Sequence, residues 1–554
     1  MVLGGTVTLA GGGDFAAISD PERDLIHVID LKARTLRGII RLPQGSQPTR
    51  GVEDGRGFVR VVLRGTGQVA TVSVGTASSL RTDSVCPEPR DITWDTNRKA
   101  AIVACASGEL VTMPVGGSVT VRRYDADLRD VVLVGNQLKA TTFRSAKLLD
   151  VAEAPSRTEV APPTLPLPMV RNQSTAFVPQ VAYRALATSD GRVIMVHQRA
   201  VDGDIDAIRT GLPPTTVPYY RNPCGSAVVR SAVTVFRDQT VIGSIEVPGV
   251  LPVDAALSPD GTELVIVNAG NAQLVRIPLA AVSSASTGVC GPVSDPAPTR
   301  DSAGTPHSPL GQPVGVAITP VGETIVHSRD PNQVVVMEPG KPNVVIPLTD
   351  DRIDSAGVRL FFDAVGGISC ASCHPEGHED GHVWTFFGKE RRTQPLSGGI
   401  SQTAPFHWEG DLSTMDTLMA DTFVSRMGGI KPSPAEVESL TAFLDAVRAP
   451  RAPTRDTPVD MTLGRAAFVK AACDSCHGGP LMTSPLNVDV GTGRPFQVPP
   501  LKGVASRGPW MHDGCAKTLS QRFTDVACGG DKHGHIDTLA PSELEALIAY
   551  LSQL

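Results

Sequence analysis

The stretch at 252–279, PVDAALSPDGTELVIVNAGNAQLVRIPL, returns at 313–340 as PVGVAITPVGETIVHSRDPNQVVVMEPG. Each copy reads Pro-Val, an apolar strand, a turn, a second strand, an Asn-containing turn and a third strand. A unit this short cannot bury both of its apolar faces, so it must stack on copies of itself. Strand-only repeats of this length are the signature of propeller blades. Fainter copies begin near Phe15, Gln47, Pro87, Ala126 and Ala185, which with the two clear ones predicts about seven blades. Period-two apolar runs closed by Gly, Pro, Asn and Asp, such as LIHVIDL (25–31) and RKAAIVAC (98–105), fill the same region. A pair of β-sandwiches would answer the same strand pattern.

In sequence terms the repeat resembles blades of the YVTN or surface-layer type. It ends near residue 350, where the texture changes. PSPAEVESLTAFLDAV (432–447) and APSELEALIAYLSQL (540–554) carry apolar residues at helical spacing, each opening on Pro and an acidic residue. A chain of 554 residues exceeds the usual single-domain size. The expected organisation is an all-β propeller over 1–350 followed by two mainly α-helical domains, at 351–456 and 457–554, each made cytochrome c-like by one Cys-x-x-Cys-His motif, at 370–374 and 473–477.

Charge narrows the partners. Lys and Arg number 50 against 57 Asp and Glu, a net charge of −7, with no basic arm to neutralise phosphates, so nucleic acid is not expected. No run of about twenty apolar residues predicts a membrane span. The start, MVLGGTVTLAGGG, lacks the positive n-region and long apolar core of a secretory signal.

Eight of the twelve histidines and three of the four tryptophans lie beyond residue 350, which places the chemistry there. Cys370-Ala-Ser-Cys373-His374 is Cys-x-x-Cys-His, and Cys473-Asp-Ser-Cys476-His477 repeats it. This spacing lets two thiols on one turn add across the two vinyl groups of a haem while the next residue turns its imidazole onto the iron. A zinc ribbon would not require a histidine after each pair, and a thioredoxin-like dithiol would require a βαβ context that is missing. Two covalently bound haem c groups are therefore expected, held by Cys370, Cys373, Cys473 and Cys476 with His374 and His477 on the irons. Six other cysteines remain, an even number, and haem attachment of this kind belongs to an oxidising compartment where disulfides persist. The expected location is periplasmic or extracellular. The sequence-local pairings are Cys86 with Cys105, Cys224 with Cys290 and Cys515 with Cys528, among fifteen connectivities.

The C-terminal region resembles the bacterial diheme cytochrome c peroxidases and their MauG-type relatives. The motifs are AGVRLFFDAVGGISCASCH, GHVWTFFGKERRTQP with APFHWEG, and FQVPPLKGVASRGPWMHDGCAKTL. The resemblance puts His382 where the peroxidatic haem takes its removable sixth ligand and Trp408 where a tryptophan lies between the haems; these two are the catalytic candidates. It also implies electron transfer between the haems, hydrogen peroxide as a possible substrate and a protein that donates or accepts electrons.

Several positions depart from the pattern. The methionine expected twelve residues beyond Gly514 is Val526, and His533 in GDKHGHI is the best-placed replacement ligand for the second haem. Met427 in SRMGGI rivals His382 for the first. The distal acid/base glutamate has no counterpart, and the asparagine of the inter-domain calcium site is Thr393, so calcium is weakly expected. Two function classes follow: a peroxidase/MauG-type oxidoreductase, or an electron-transfer cytochrome whose propeller docks a partner.

Overall fold

The computed structural model describes residues 4–124, 127–151, 158–166, 175–205, 224, 227–284, 290, 299–300, 306–307, 310–349, 356–453 and 460–554. Seven antiparallel sheets form the blades of a propeller, spanning 7–41, 48–84, 89–123, 128–160, 165–247, 252–278 and 313–347. Within each, spatial order follows chain order, and in most blades short Gly-, Asn- and Asp-containing turns return a strand beside the last. Blade 6 has three strands and blade 5 has five; the other blades have four.

The blades cohere because both faces of each are apolar. Val59 and Val61 of blade 2 pack with Ile26 and Val28 of blade 1, while Val62 and Val69 turn the other way onto Ile92 and Val103 of blade 3. Side chains this deeply buried contribute about 1.5–3 kcal/mol each. Ile18 and Ile29 of blade 1 pack with Ile325 and Val336 of blade 7, which closes the ring. Among the described residues, no strand is exchanged across that seam. Polar contacts stitch it instead: Thr6 Oγ1 lies 2.8 Å from His327 Nδ1, Asn332 Nδ2 donates to Asp20 Oδ2 at 2.8 Å, and Arg34 pairs with Glu338 at 2.7 Å.

The boundaries expected at 350/351 and 456/457 lie outside the described residues. Beyond them the chain is less helical than its amphipathic segments imply. Among the described residues, four α-helices reach seven residues or more: Ala356–Phe362, Pro434–Ala446, Met461–Lys470 and Pro541–Leu551. They are separated by 3-10 turns, a π-helical stretch at Met419–Arg426 and two short hairpins. Too few apolar faces exist for helices to pack on helices throughout, so most of the chain wraps as loops.

The four helices form two crossed pairs, and a glycine makes each crossing close. A Cβ on Gly357 would stand 2.3 Å from the Ser439 carbonyl carbon, and one on Gly464 would stand 2.4 Å from Tyr550 Cβ. Each glycine-bearing helix leads directly into a Cys-x-x-Cys-His motif.

This region is docked on the propeller. Glu376, fully buried, pairs with Arg64 of the loop after the second strand of blade 2 and, at 2.8 Å, with Arg129 of blade 4. Gln180 Nε2 of blade 5 donates to the Asp380 carbonyl at 3.0 Å, and Arg144 Nη1 to the Gly508 carbonyl at 3.2 Å. The three disulfides join Cys86 to Cys105, Cys224 to Cys290 and Cys515 to Cys528, the sequence-local pairings. Among the described residues, no helix is long and apolar enough to cross a membrane.

Candidate functional site

Both Cys-x-x-Cys-His motifs close into a single turn. In the first, Ser369 and Ser372 cap one another across the start of the turn Cys370–Cys373, and the His374 amide donates to the Cys370 carbonyl at 2.9 Å. In the second, a 3-10 turn at Cys473–Ser475 ends with the His477 amide on the Cys473 carbonyl at 2.8 Å. Positions i, i+3 and i+4 of such a turn share a face, so each histidine stands beside its two thiols. None of these four cysteines is in a disulfide. Burial pushes the Cys370 thiol up to about 12 and Cys473 up to about 11, the opposite of the depressed thiols used by dithiol oxidoreductases.

The two histidines are oriented alike. His374 Nδ1 lies 3.2 Å from the His378 carbonyl, and His477 Nδ1 lies 3.1 Å from the Met482 carbonyl. A carbonyl oxygen only accepts, so the proton is on Nδ1 and the Nε2 lone pair is free for a metal. Burial pushes both imidazoles down to about 4, against the carbonyls that favour the charged form, so both are neutral near pH 7.

The two sites then diverge. Over the first lies a cavity of about 780 Å³, whose walls include Cys370, Cys373, His374, Phe361, Trp384 and Leu440. Thiol pair, neutral imidazole and apolar chamber together could hold a c-type haem, and the volume is within the range of cofactor pockets. Over the second motif stands His533, its ring centroid 6.0 Å from that of His477. Two neutral imidazoles this close would be the residues to hold a metal between them. His533 Nδ1 is buried without a hydrogen-bond partner, and burial, then Arg522 and His477, hold the ring well below its ordinary value.

His382 is not on the cavity wall. Its Nε2 donates to the Val201 carbonyl of blade 5 at 2.9 Å, and its ring packs edge-on against Trp384 at 4.4 Å. Met427, the rival from the sequence, does line the cavity. Trp408 lines it too. The Trp408 indole Nε1 donates to the Arg392 carbonyl at 2.8 Å, and the far side of the ring meets Phe496 at 6.1 Å and His512 at 6.2 Å, both from the second half. Trp408 therefore bridges the first cavity and the second half of the region. Thr393, at the position the resemblance gives to a calcium ligand, instead accepts from Trp384 Nε1 at 3.0 Å.

One wall residue escaped the sequence reading. His407, in APFHWEG, reaches the cavity with its Nδ1 3.3 Å from Asp411 and its Nε2 3.9 Å from Asp421. Burial and then Arg426 lower its pKa, with Asp411 and Asp421 opposing them. The signal was available: the residue adjoins Trp408 and is the only histidine between His382 and His477. Glu409 also lines the cavity, held by Arg391 through a 2.8 Å hydrogen bond.

No family model matches the chain. It is 26% identical over 270 residues to hydrazine synthase subunit gamma of Kuenenia stuttgartiensis, an alignment covering 36% of this chain and 76% of that protein. Among solved structures, Kuenenia stuttgartiensis hydrazine synthase aligns with a TM-score of 0.46 at 17% identity, over 61% of this chain and 97% of that one. A streptogramin B lyase aligns with a TM-score of 0.39 at 11% identity, over 59% of this chain and 91% of that one.

Proposed function

We propose that the chain is an exported oxidoreductase with two covalent c-type haems, related in chemistry to the diheme peroxidase and MauG enzymes. The first would be held by Cys370, Cys373 and His374, the second by Cys473, Cys476, His477 and His533. The observation that carries the reading is the asymmetry of the two motifs: a large cavity faces the first, whereas a second imidazole faces the second. When bound, such groups would supply one-electron chemistry and the activation of a small ligand.

The protein's own residues divide the remaining work. His374 offers its Nε2 lone pair, fixed by the His378 carbonyl. His407, between Asp411 and Asp421, is placed to hold or deliver a proton inside the cavity, in the role the missing glutamate leaves open. Trp408 is the electron path toward the second half. The three disulfides, with Cys-x-x-Cys-His chemistry, support an oxidising compartment. Similarity to a subunit of hydrazine synthase widens the substrate class from peroxide to small nitrogen compounds and favours a multi-subunit setting, with an electron donor or acceptor protein and a partner on the propeller.

A second reading, electron transfer alone, is favoured by Met427 at the cavity wall, since a thioether closing the first iron would leave no open position. Electron paramagnetic resonance of the ferric and half-reduced protein, after a pyridine haemochrome count, decides between them. The enzyme reading expects two haems and a high-spin first site in at least one of those states. Two low-spin sites in both states would leave electron transfer alone.

A further inference from the structure

We propose that Arg392 and Arg507 form a carboxylate-binding site in the wall of the first cavity, and that its ligands are the propionates of the haem attached at Cys370 and Cys373. The identity of the ligand rests on the haem reading above; the need for an anion does not.

Among the described residues, four arginines line the cavity. Two are matched: Arg391 by Glu409, and Arg426 by Asp421 at 2.8 Å. The other two are under-matched and more deeply buried, with Arg392 3% and Arg507 5% exposed. Arg392 ends the strand Lys389–Arg392, and Arg507 follows the turn Val504–Ser506, so each half of the region contributes one. Arg392 Nη1 donates to the Arg507 carbonyl at 3.1 Å and Arg507 Nη1 to the Pro500 carbonyl at 2.6 Å, which fixes both guanidiniums without neutralising either. The Nε of each is buried without a partner.

The carboxylate they share is Glu379, at 3.7 Å from Arg392 and 3.8 Å from Arg507, with Arg144 a third cation at 3.9 Å. Those separations are too long for hydrogen bonds, and neither Glu379 oxygen makes one. Arg144 already has Asp127 at 3.1 Å. The other nearby acid, Asp380, accepts from the His382 amide at 2.9 Å, and burial raises its pKa, which weakens it as a counter-ion. Two cations therefore depend on one carboxylate that touches neither.

An arginine does not escape this by losing its proton, and an unpaired buried charge costs several kcal/mol. Burial indeed pulls the Arg392 guanidinium down to about 10, and Arg507 moves the same way. A planar fork with a free Nε–H is the geometry that binds carboxylates. A haem fixed by its thioethers brings two carboxylates into this same cavity.

The test uses the full chain matured with haem. Arg392→Gln and Arg507→Gln are counted for haem first and then titrated spectroelectrochemically, with Arg392→Lys and Arg507→Lys as charge-keeping controls. Losing a positive charge beside the propionates favours the ferric form. The expected result is two haems attached and one midpoint lowered by about tenfold in the reduction equilibrium, about 59 mV, with most of the shift absent in the Lys variants. Glu379→Gln removes the competing carboxylate and should move the same midpoint upward, which keeps the test intact if a Gln variant at either arginine misfolds. Unchanged midpoints in the variants that fold with full haem content overturn the proposal. A wild-type midpoint that moves with added formate overturns it as well, since a soluble carboxylate would then be filling the site. Wild-type protein without covalent haem overturns the ligand assignment together with the reading it rests on, and the haem count separates that case from the others.

Discussion

Glu376 is two residues beyond His374, and replacing it tests how far the propeller holds the first site. Its carboxylate is fully buried between Arg64 and Arg129, which come from blades 2 and 4. Removing one member of a buried ion pair costs about 3–5 kcal/mol, because the opposite charge stays buried. Arg64 keeps Glu88 and Arg129 keeps the face of Phe143, 4.5 Å from the ring centre, so the lower end of that range applies to Glu376→Gln. Because the first half shares its core with the propeller, the cooperative unit is about 450 residues, and a loss of about 3 kcal/mol lowers its midpoint by roughly 3 °C. Burial alone would raise the Glu376 carboxyl, but Arg64, Arg129 and Arg90 outweigh it and hold it well below 4.5. A carboxyl depressed on folding contributes its full stability above the unfolded value and loses it as pH falls through the folded one. Wild-type and Glu376→Gln thermal unfolding curves, followed by circular dichroism, should therefore differ fully from about pH 5 upward and converge only in strong acid. Adding Arg129→Met to Glu376→Gln should recover much of the loss. A midpoint for Glu376→Gln within 1 °C of wild type at pH 7 would refute the reasoning.

Three further outcomes are expected. Thiol labelling of the denatured, unreduced holoprotein should find almost no reactive cysteine, since six are in disulfides and four would carry haem; several labelled thiols would contradict that assignment. Gly464→Ala forces a Cβ to within 2.4 Å of Tyr550 Cβ and 2.6 Å of the Ala546 carbonyl, and should destabilise the second half by about 1–3 kcal/mol in urea titrations despite the better helix propensity of alanine. His533→Ala should convert the second haem to high spin in resonance spectra, and Met427→Leu should perturb the first more than His382→Gln does; the reverse order would return the ligand role to His382.

What was legible in the sequence was local. A repeat of strand, turn and strand is written within thirty residues, so blades 6 and 7 could be read directly, and a turn that puts Cys, Cys and His on one face needs five. Blade edges were harder. Blade 1 begins at Val7, inside a Gly-rich start with little strand signature, and blade 5 begins near 165, where the strand Ala176–Ala187 ends close to the predicted start at Ala185. The contacts that decide the site are between residues far apart in sequence. His382 finds the Val201 carbonyl and Glu376 finds Arg64 and Arg129, and no periodicity or spacing records those partners. Helical content was overestimated for a related reason: two amphipathic segments stood out, while the wrapping loops between them have no period to read.

The same distinction explains why the two motifs are unequal members of one molecule. The core of the second half is its own: Ala467, Phe468, Val504, Phe523, Leu547 and Leu551 pack on one another, with no blade residue among them. The core of the first half is shared. Phe361, Phe362, Phe423 and Leu440 form one cluster with Tyr183 of blade 5, Val253 of blade 6 and Val326 of blade 7, and Ile205, Ala227 and Val228 from the blade 5 region complete the cavity wall. A chain beginning at residue 351 should therefore keep a folded second half with one covalent haem. Its first half would expose those phenylalanines and lose the blade residues that hold Glu376, Asp380 and His382. A haemochrome count falling from two toward one, with the spectrum of the remaining haem matching that of the second site, is the expected outcome. Two haems with an unaltered first-site spectrum would show that the first half carries its own fold and that the propeller serves some other end.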